Sequence, residues 1–184
     1  MLRLFVALEL PVAVRDALLA SMGALGGSVV GARWQSDEQL HLTLRFIGEV
    51  DRHQAADIDA ALGTVNFQPF DLALGEPGSF ERRGRADCLW VGVRPRDAVA
   101  ALAQRVDAAL ARVGIAPETR AFVPHITLAR LGRDAGSIAG LLARPIAQLA
   151  FSVSGFALWD SRLGHGGADY NVIARYPDRR DRTG

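Results

Sequence analysis

Two short segments of this chain carry the same chemistry-bearing side chains. They are His41-Leu42-Thr43-Leu44-Arg45 and His125-Ile126-Thr127-Leu128-Ala129, 84 residues apart. In each, a glycine stands seven positions after the histidine (Gly48 and Gly132). The chain has four histidines, and two of them occupy equivalent places in this one repeated motif. Near neutral pH one imidazole can be neutral while another is charged. Two of them suit an in-line displacement at phosphorus: one takes a proton from attacking water, the other protonates the departing oxygen. Each role typically contributes about 10²–10⁴-fold. Threonine hydroxyls can donate to the non-bridging oxygens, where charge builds in the transition state. A guanidinium would add a fixed charge and a two-pronged donor.

Strand geometry brings these groups together. Side chains alternate along a strand, so His41 and Thr43 share a face opposite Leu42, Leu44 and Phe46. His125 and Thr127 likewise oppose Ile126 and Leu128. Two lobes related by an approximate two-fold axis would join the polar faces in one cleft. A single H-x-T strand is usually structural. The repetition over nearly half the chain length, as a duplicated lobe would leave it, carries the functional reading. By phase, Arg45 is the phosphate-binding candidate. Arg130, five residues after His125, is out of phase and reaches the cleft only if the strand twists or bulges.

The other candidates have bland explanations. His53 falls at a helix start and reads as solvated, and His165 lies in a Gly-rich loop. Metal binding by His41 and His125 would need further carboxylate or imidazole ligands that neither strand carries, so no metal and no cofactor are expected. The Glu81–Arg85 segment reads as a charged loop, with RNA contact as its functional alternative. Trp34 and Trp90 are candidate base-stacking rings, Trp90 with a core role as the alternative. All 21 basic side chains are Arg. Lysyl-adenylate ligase chemistry is therefore excluded. Cys88, the single cysteine, forms no intrachain disulfide and reads as core. A net charge of +1 gives no global field for duplex binding. With 49% apolar and 22% charged residues, the composition is that of a globular protein. No membrane span or signal peptide is read, and a cytoplasmic monomer is expected.

The elements that must position the site read as follows. Strands are expected at Leu2–Leu10, Leu40–Ile47 (closed by Gly48), Phe67–Leu74, Cys88–Val93, Pro124–Leu131 (closed by Gly132) and Tyr170–Tyr176. Arg33-Trp34 begins a further extended piece, and Ala147–Trp159 supplies one or two more strands. Helices are expected at Val12–Leu25 (stopped by Gly26-Gly27), Gln54–Leu62 and Asp97–Val113, with a weak one at Gly136–Leu142. Pro77-Gly78 reads as a turn and Asp160–Ala168 as a loop. Consecutive strands without intervening helices favour α+β with largely antiparallel sheet. One domain of two interleaved lobes is expected over residues 1–184, with a frayed tail at 178–184.

At the residues quoted above the sequence resembles the RNA 2′,3′-cyclic phosphodiesterases of the two-histidine phosphoesterase superfamily, also described as bacterial 2′-5′ RNA ligases. The resemblance spans Arg3–Leu8, Leu40–Gly48, Leu89–Gly92, Phe122–Arg130, Ser161–Leu163 and Tyr170. It implies a bilobal fold around a pseudo-two-fold cleft without metal. It implies hydrolysis of a terminal RNA 2′,3′-cyclic phosphate, or of a small cyclic nucleotide, to a 2′-phosphomonoester. It assigns His41 as proton donor and His125 as proton acceptor, and it favours Arg130 over Arg45; Thr43 and Thr127 are expected on the phosphate from the hydroxyl chemistry above. Alternatives are 2′-5′ ligation of tRNA halves and a non-catalytic module that binds RNA ends.

Overall fold

The structure is a computed structural model and describes residues 1–25, 29–144, 146–164 and 167–177. Its elements are β1 (Leu2–Glu9), α1 (Val12–Leu25), β2 (Ala32–Trp34), β3 (His41–Val50), α2 (Arg52–Gly63), β4 (Phe70–Arg82), β5 (Arg85–Arg94), α3 (Arg96–Ala111), β6 (His125–Leu131), α4 (Ala139–Leu142), β7 (Ala150–Val153), β8 (Phe156–Gly164) and β9 (Gly167–Tyr176). The expected stop at Gly26-Gly27, His165 and the tail 178–184 lie outside the described residues.

The strands form one continuous sheet in the order β7-β4-β5-β6-β3-β1-β8-β9, with β2 on β6. Every pairing among the described strands is antiparallel. The α+β expectation holds. Each half contains a strand–helix–strand unit, β1-α1-β3 in one and β5-α3-β6 in the other. A proline precedes the helix in both, Pro11 and Pro95, where its fixed φ and missing N–H cost nothing. Chain order interleaves the halves: β8 and β9 return to the first, β7 to the second.

Period-two alternation divides the sheet into two faces. Leu4, Val6, Leu8, Leu42, Leu44, Leu89, Val91, Ile126 and Leu128 face a helix-backed core. Val14 and Leu18 of α1, Ile58 and Leu62 of α2, and the α3 stripe Val99, Leu102, Val106 and Leu110 complete it. Burying each such side chain is worth about 1.5–3 kcal/mol. On the opposite face Phe5, Ala7, Ala157 and Trp159 make a separate small cluster. That face carries the cleft.

Three expectations about connections are corrected. Pro77-Gly78 is not a turn: β4 runs through it, with Pro77 opposite Val91 and Gly78 opposite Trp90. The physical reason is Trp90, whose ring covers Gly78 so closely that a Cβ there would sit 2.2 Å from it. Pro77 follows a register irregularity, where the pairing is already interrupted. The Glu81–Arg85 loop is instead a tight hairpin that turns at Arg83 and Gly84, both at positive φ (54° and 74°). The described residues of the Asp160–Ala168 loop belong to paired strands, the ladder running on to Gly164 opposite Gly167. In addition, β3 does not end at Gly48. It bulges there, Leu4 facing Gly48 and Phe5 facing Phe46, with Gly48 at φ 98°. Helical structure in 136–142 is confined to Ala139–Leu142.

Candidate active site

Strands β3 and β6 meet at one ladder position, Leu42 opposite Ile126. These are the central residues of the two H-x-T triplets, so the triplets pair symmetrically about this position. Antiparallel pairing there sets His41 beside Thr127 and Thr43 beside His125. Diagonal positions in such a pair lie about 7–8 Å apart, room for one phosphate between two imidazoles. His41, Thr43, His125, Thr127 and Arg130 all line one cleft of about 430 Å³, within the usual size range for small-ligand sites.

Both histidines are held in the same way. The Nδ1 of His41 lies 2.8 Å from the Gln39 carbonyl oxygen, and that of His125 lies 2.6 Å from the Val123 carbonyl oxygen. A carbonyl only accepts, so each Nδ1 carries a hydrogen and donates it. Proton exchange is left to Nε2. In His41 this atom lies 3.1 Å from Thr43 Oγ1. Each ring is also backed by a Phe/Trp pair. Phe5 and Trp159 lie 4.9 and 5.9 Å from His41, and Phe80 and Trp90 lie 4.7 and 5.9 Å from His125. Tyr170 adds an edge contact to His41 at 5.2 Å. Trp90 is therefore a wall behind His125 rather than an open stacking ring, whereas Trp34 lines the cleft.

These walls set the electrostatics. Burial pushes the His41 pKa down to about 4, against a raising contribution from its bond to the Gln39 carbonyl; the nearby His125 and the Arg130 charge lower it further. His125 is lowered as well, first by burial and also by Arg130. One guanidinium thus acts on both imidazoles.

Arg130 reaches the cleft because β6 bulges. Trp90 pairs with Thr127 and Leu89 with Ala129, leaving Leu128 as the extra residue. The phase then shifts by one, and Arg130 joins the face of His125 and Thr127. The same happens in β3, where Ala7 pairs with Thr43 and Val6 with Arg45, leaving Leu44 extra. Arg45 is thereby turned to the helix side. Its Nε donates to Asp107 at 2.7 Å, its Nη1 to Glu118 at 3.3 Å, and its Nη2 to the Ala116 carbonyl. Glu118 is itself held down to about 2, chiefly by hydrogen bonds from Arg120. The expectation from spacing is corrected: Arg45 is a structural strut and does not line the cleft. Among the described residues, no group of three or more His, Cys, Asp or Glu side chains is placed to hold a metal ion.

The model of the 2′-5′ RNA ligase superfamily matches residues 30–165. The chain belongs to this superfamily. A relative from Archaeoglobus fulgidus named RNA 2′,3′-cyclic phosphodiesterase is 31% identical, over 78% of this chain and 80% of its own length. One from Escherichia coli K12 with the same name is 29% identical over 95% of each chain. Among solved structures, TT0787 of Thermus thermophilus matches with a TM-score of 0.83 at 29% identity, covering 94% of this chain and 96% of that one. Escherichia coli LigT complexed with 3′-AMP matches with a TM-score of 0.76 at 28% identity, covering 95% and 96%.

The cleft also contains residues that motif reasoning passed over: Arg3, Arg33, Gln35 and Phe46. Simple alternation sends Phe46 to the apolar face, but the bulge at Leu44 returns it to the cleft. It is the fifth residue after His41, as Arg130 is after His125, and that shared spacing was the available signal. Phe46 is 41% exposed, and the Arg3 guanidinium stands 5.3 Å from its ring centroid. His53 is solvated and pairs loosely with Asp57 at 3.3 Å.

Proposed function

We propose that this protein hydrolyses the 2′,3′-cyclic phosphate at the end of an RNA, or of a small cyclic nucleotide, to a 2′-phosphomonoester. The observation that carries the reading is the matched pair of imidazoles on one cleft, each with Nδ1 tied to a main-chain carbonyl and Nε2 left for proton exchange. His125 takes a proton from water as its oxygen attacks phosphorus. The bond from phosphorus to O3′ breaks, and His41 gives O3′ its proton. Each ring ends in the protonation state opposite to the one in which it began, and exchange with solvent resets both. Thr43, Thr127 and Arg130 hold the non-bridging oxygens, where negative charge accumulates. The name shared by the relatives supports the choice of substrate.

The test is incubation with an oligonucleotide ending in a 2′,3′-cyclic phosphate, with EDTA present. A 2′-phosphomonoester is expected, with losses of about 10²–10⁴-fold in His41→Ala and in His125→Ala. Activity that vanishes with EDTA, or that survives both substitutions, refutes the mechanism. A partner strand with a 5′-hydroxyl is included. Joined product in excess of hydrolysed ends would make ligation the principal reaction.

A further inference from the structure

A second groove, of about 650 Å³, adjoins the cleft. It is lined by Arg33, Arg82, Arg83, Arg85, Arg130 and Arg133, with Asp87 as its only acidic side chain. Arg33 and Arg130 line both cavities, so the cavities are adjacent. The two are also cross-strand neighbours, paired between β2 and β6.

This concentration of charge is local. The whole chain carries a net charge of +1, and several arginines elsewhere pair with carboxylates, as in Arg15–Asp37, Arg162–Asp160 and Arg175–Glu9. Among the described residues, none of the groove arginines pairs with a carboxylate; the ion pairs lie elsewhere. The fold brings these charges together. The positive-φ turn at Arg83 and Gly84 sets Arg82 directly opposite Arg85. Arg85 donates to the Arg133 carbonyl, which ties the hairpin tip to the end of β6. Like charges gathered in this way repel one another unless a polyanion lies among them.

We infer that this groove is a subsite for the phosphate backbone of single-stranded RNA leading away from the cyclic end, an inference that rests on the proposed hydrolysis of such ends. Guanidinium forks match phosphate oxygens and carry no base preference. A mononucleotide whose only phosphate sits between the imidazoles has nothing to place there. An RNA strand does.

The experiment compares two substrates, a nucleoside 2′,3′-cyclic monophosphate and a short oligonucleotide ending in the same cyclic nucleotide. The variant combines Arg82→Gln, Arg83→Asn and Arg133→Gln; Asn suits the left-handed backbone at position 83. Activity on the mononucleotide is expected to persist, which also reports folding. On the oligonucleotide kcat/KM should fall roughly tenfold or more at low salt. Its log–log salt slope should flatten by about 0.7 per lost phosphate contact. Equal losses on both substrates, or no loss on either, overturn the inference; the single variants Arg82→Gln and Arg133→Gln decide the matter if the triple variant does not fold. Binding of a 3′-phosphorylated oligonucleotide, followed by fluorescence anisotropy, is measured in parallel. It tests the groove even if neither cyclic substrate is turned over, a result that would overturn the hydrolysis instead.

Discussion

The depressed pKa of His41 should appear as acid lability that one substitution removes. The imidazole is pushed from 6.5 to about 4 in the folded protein, first by burial among its neighbours. Between those values the unfolded chain binds a proton that the native state refuses. Stability must therefore fall as pH drops through this window, by up to about 1.4 kcal/mol per pH unit. Over the whole window the loss is about 3 kcal/mol, complete below the folded pKa and absent above pH 6.5. Urea unfolding of wild type and His41→Gln at steps from pH 7.5 to 4 isolates this contribution, because the carboxylates titrate in both proteins. The wild type is expected to lose about 3 kcal/mol more than the variant across the range. A difference that stays constant with pH refutes the desolvated-imidazole argument. Catalysis follows from the same reasoning. A bound phosphodiester anion favours the charged imidazole and raises its pKa. If His41 is the proton donor, the basic limb of kcat should lie above that of kcat/KM, because the latter reports the free enzyme.

Three further outcomes separate the roles of nearby residues. Arg130→Gln should lower kcat/KM by about 10²–10³-fold, and NMR titration should show both imidazole pKa values rising, since the Arg130 charge lowers each. Arg45→Met should do the reverse, costing about 1–3 kcal/mol in denaturant unfolding by leaving Asp107 without its partner while kcat/KM of the folded protein stays within about twofold. Gly78→Ala places a Cβ 2.2 Å from the Trp90 ring. The ring must shift from behind His125, so a stability loss of about 1–3 kcal/mol and a lower kcat are expected; unchanged kinetics would show that Trp90 does not position His125.

The parts of the site legible in the sequence were those set by local periodicity. Period two placed His41 with Thr43 and His125 with Thr127, and the apolar stripe of α3 announced the helix beneath them. The guanidinium was legible through the family resemblance but not from spacing, because strand phase is a property of pairs. Nothing within Thr127-Leu128-Ala129-Arg130 marks Leu128 as unpaired; that is decided by Leu89 and Trp90 on β5. Likewise Leu44 is displaced by the packing of Val6 and Ala7 on β1. Pro77-Gly78 misled for a related reason. The glycine there is required by a ring on another strand rather than by a turn of its own.

The two halves repeat far more than the motif. Each histidine ties Nδ1 to the carbonyl two residues before it, rests on a Phe/Trp pair, and precedes a bulge at the same leucine. A site with that symmetry has no means of choosing which imidazole gives and which takes the proton, or of telling one end of a substrate from the other. Direction must come from the places where the halves differ, and the bulges expose the main one. The fifth residue after each histidine is turned into the cleft, as Phe46 on β3 and as Arg130 on β6. On the β6 side Arg130 and Arg33 border a groove of guanidiniums as well as the cleft. The β3 side offers an exposed ring with Arg3 above it. A substrate with a charged backbone and a flat base is polar in the same sense, so the proposed RNA substrate would lay its backbone on the β6 side and its terminal nucleoside on the β3 side. On that proposed arrangement a single strand has one orientation in which both of its parts are matched.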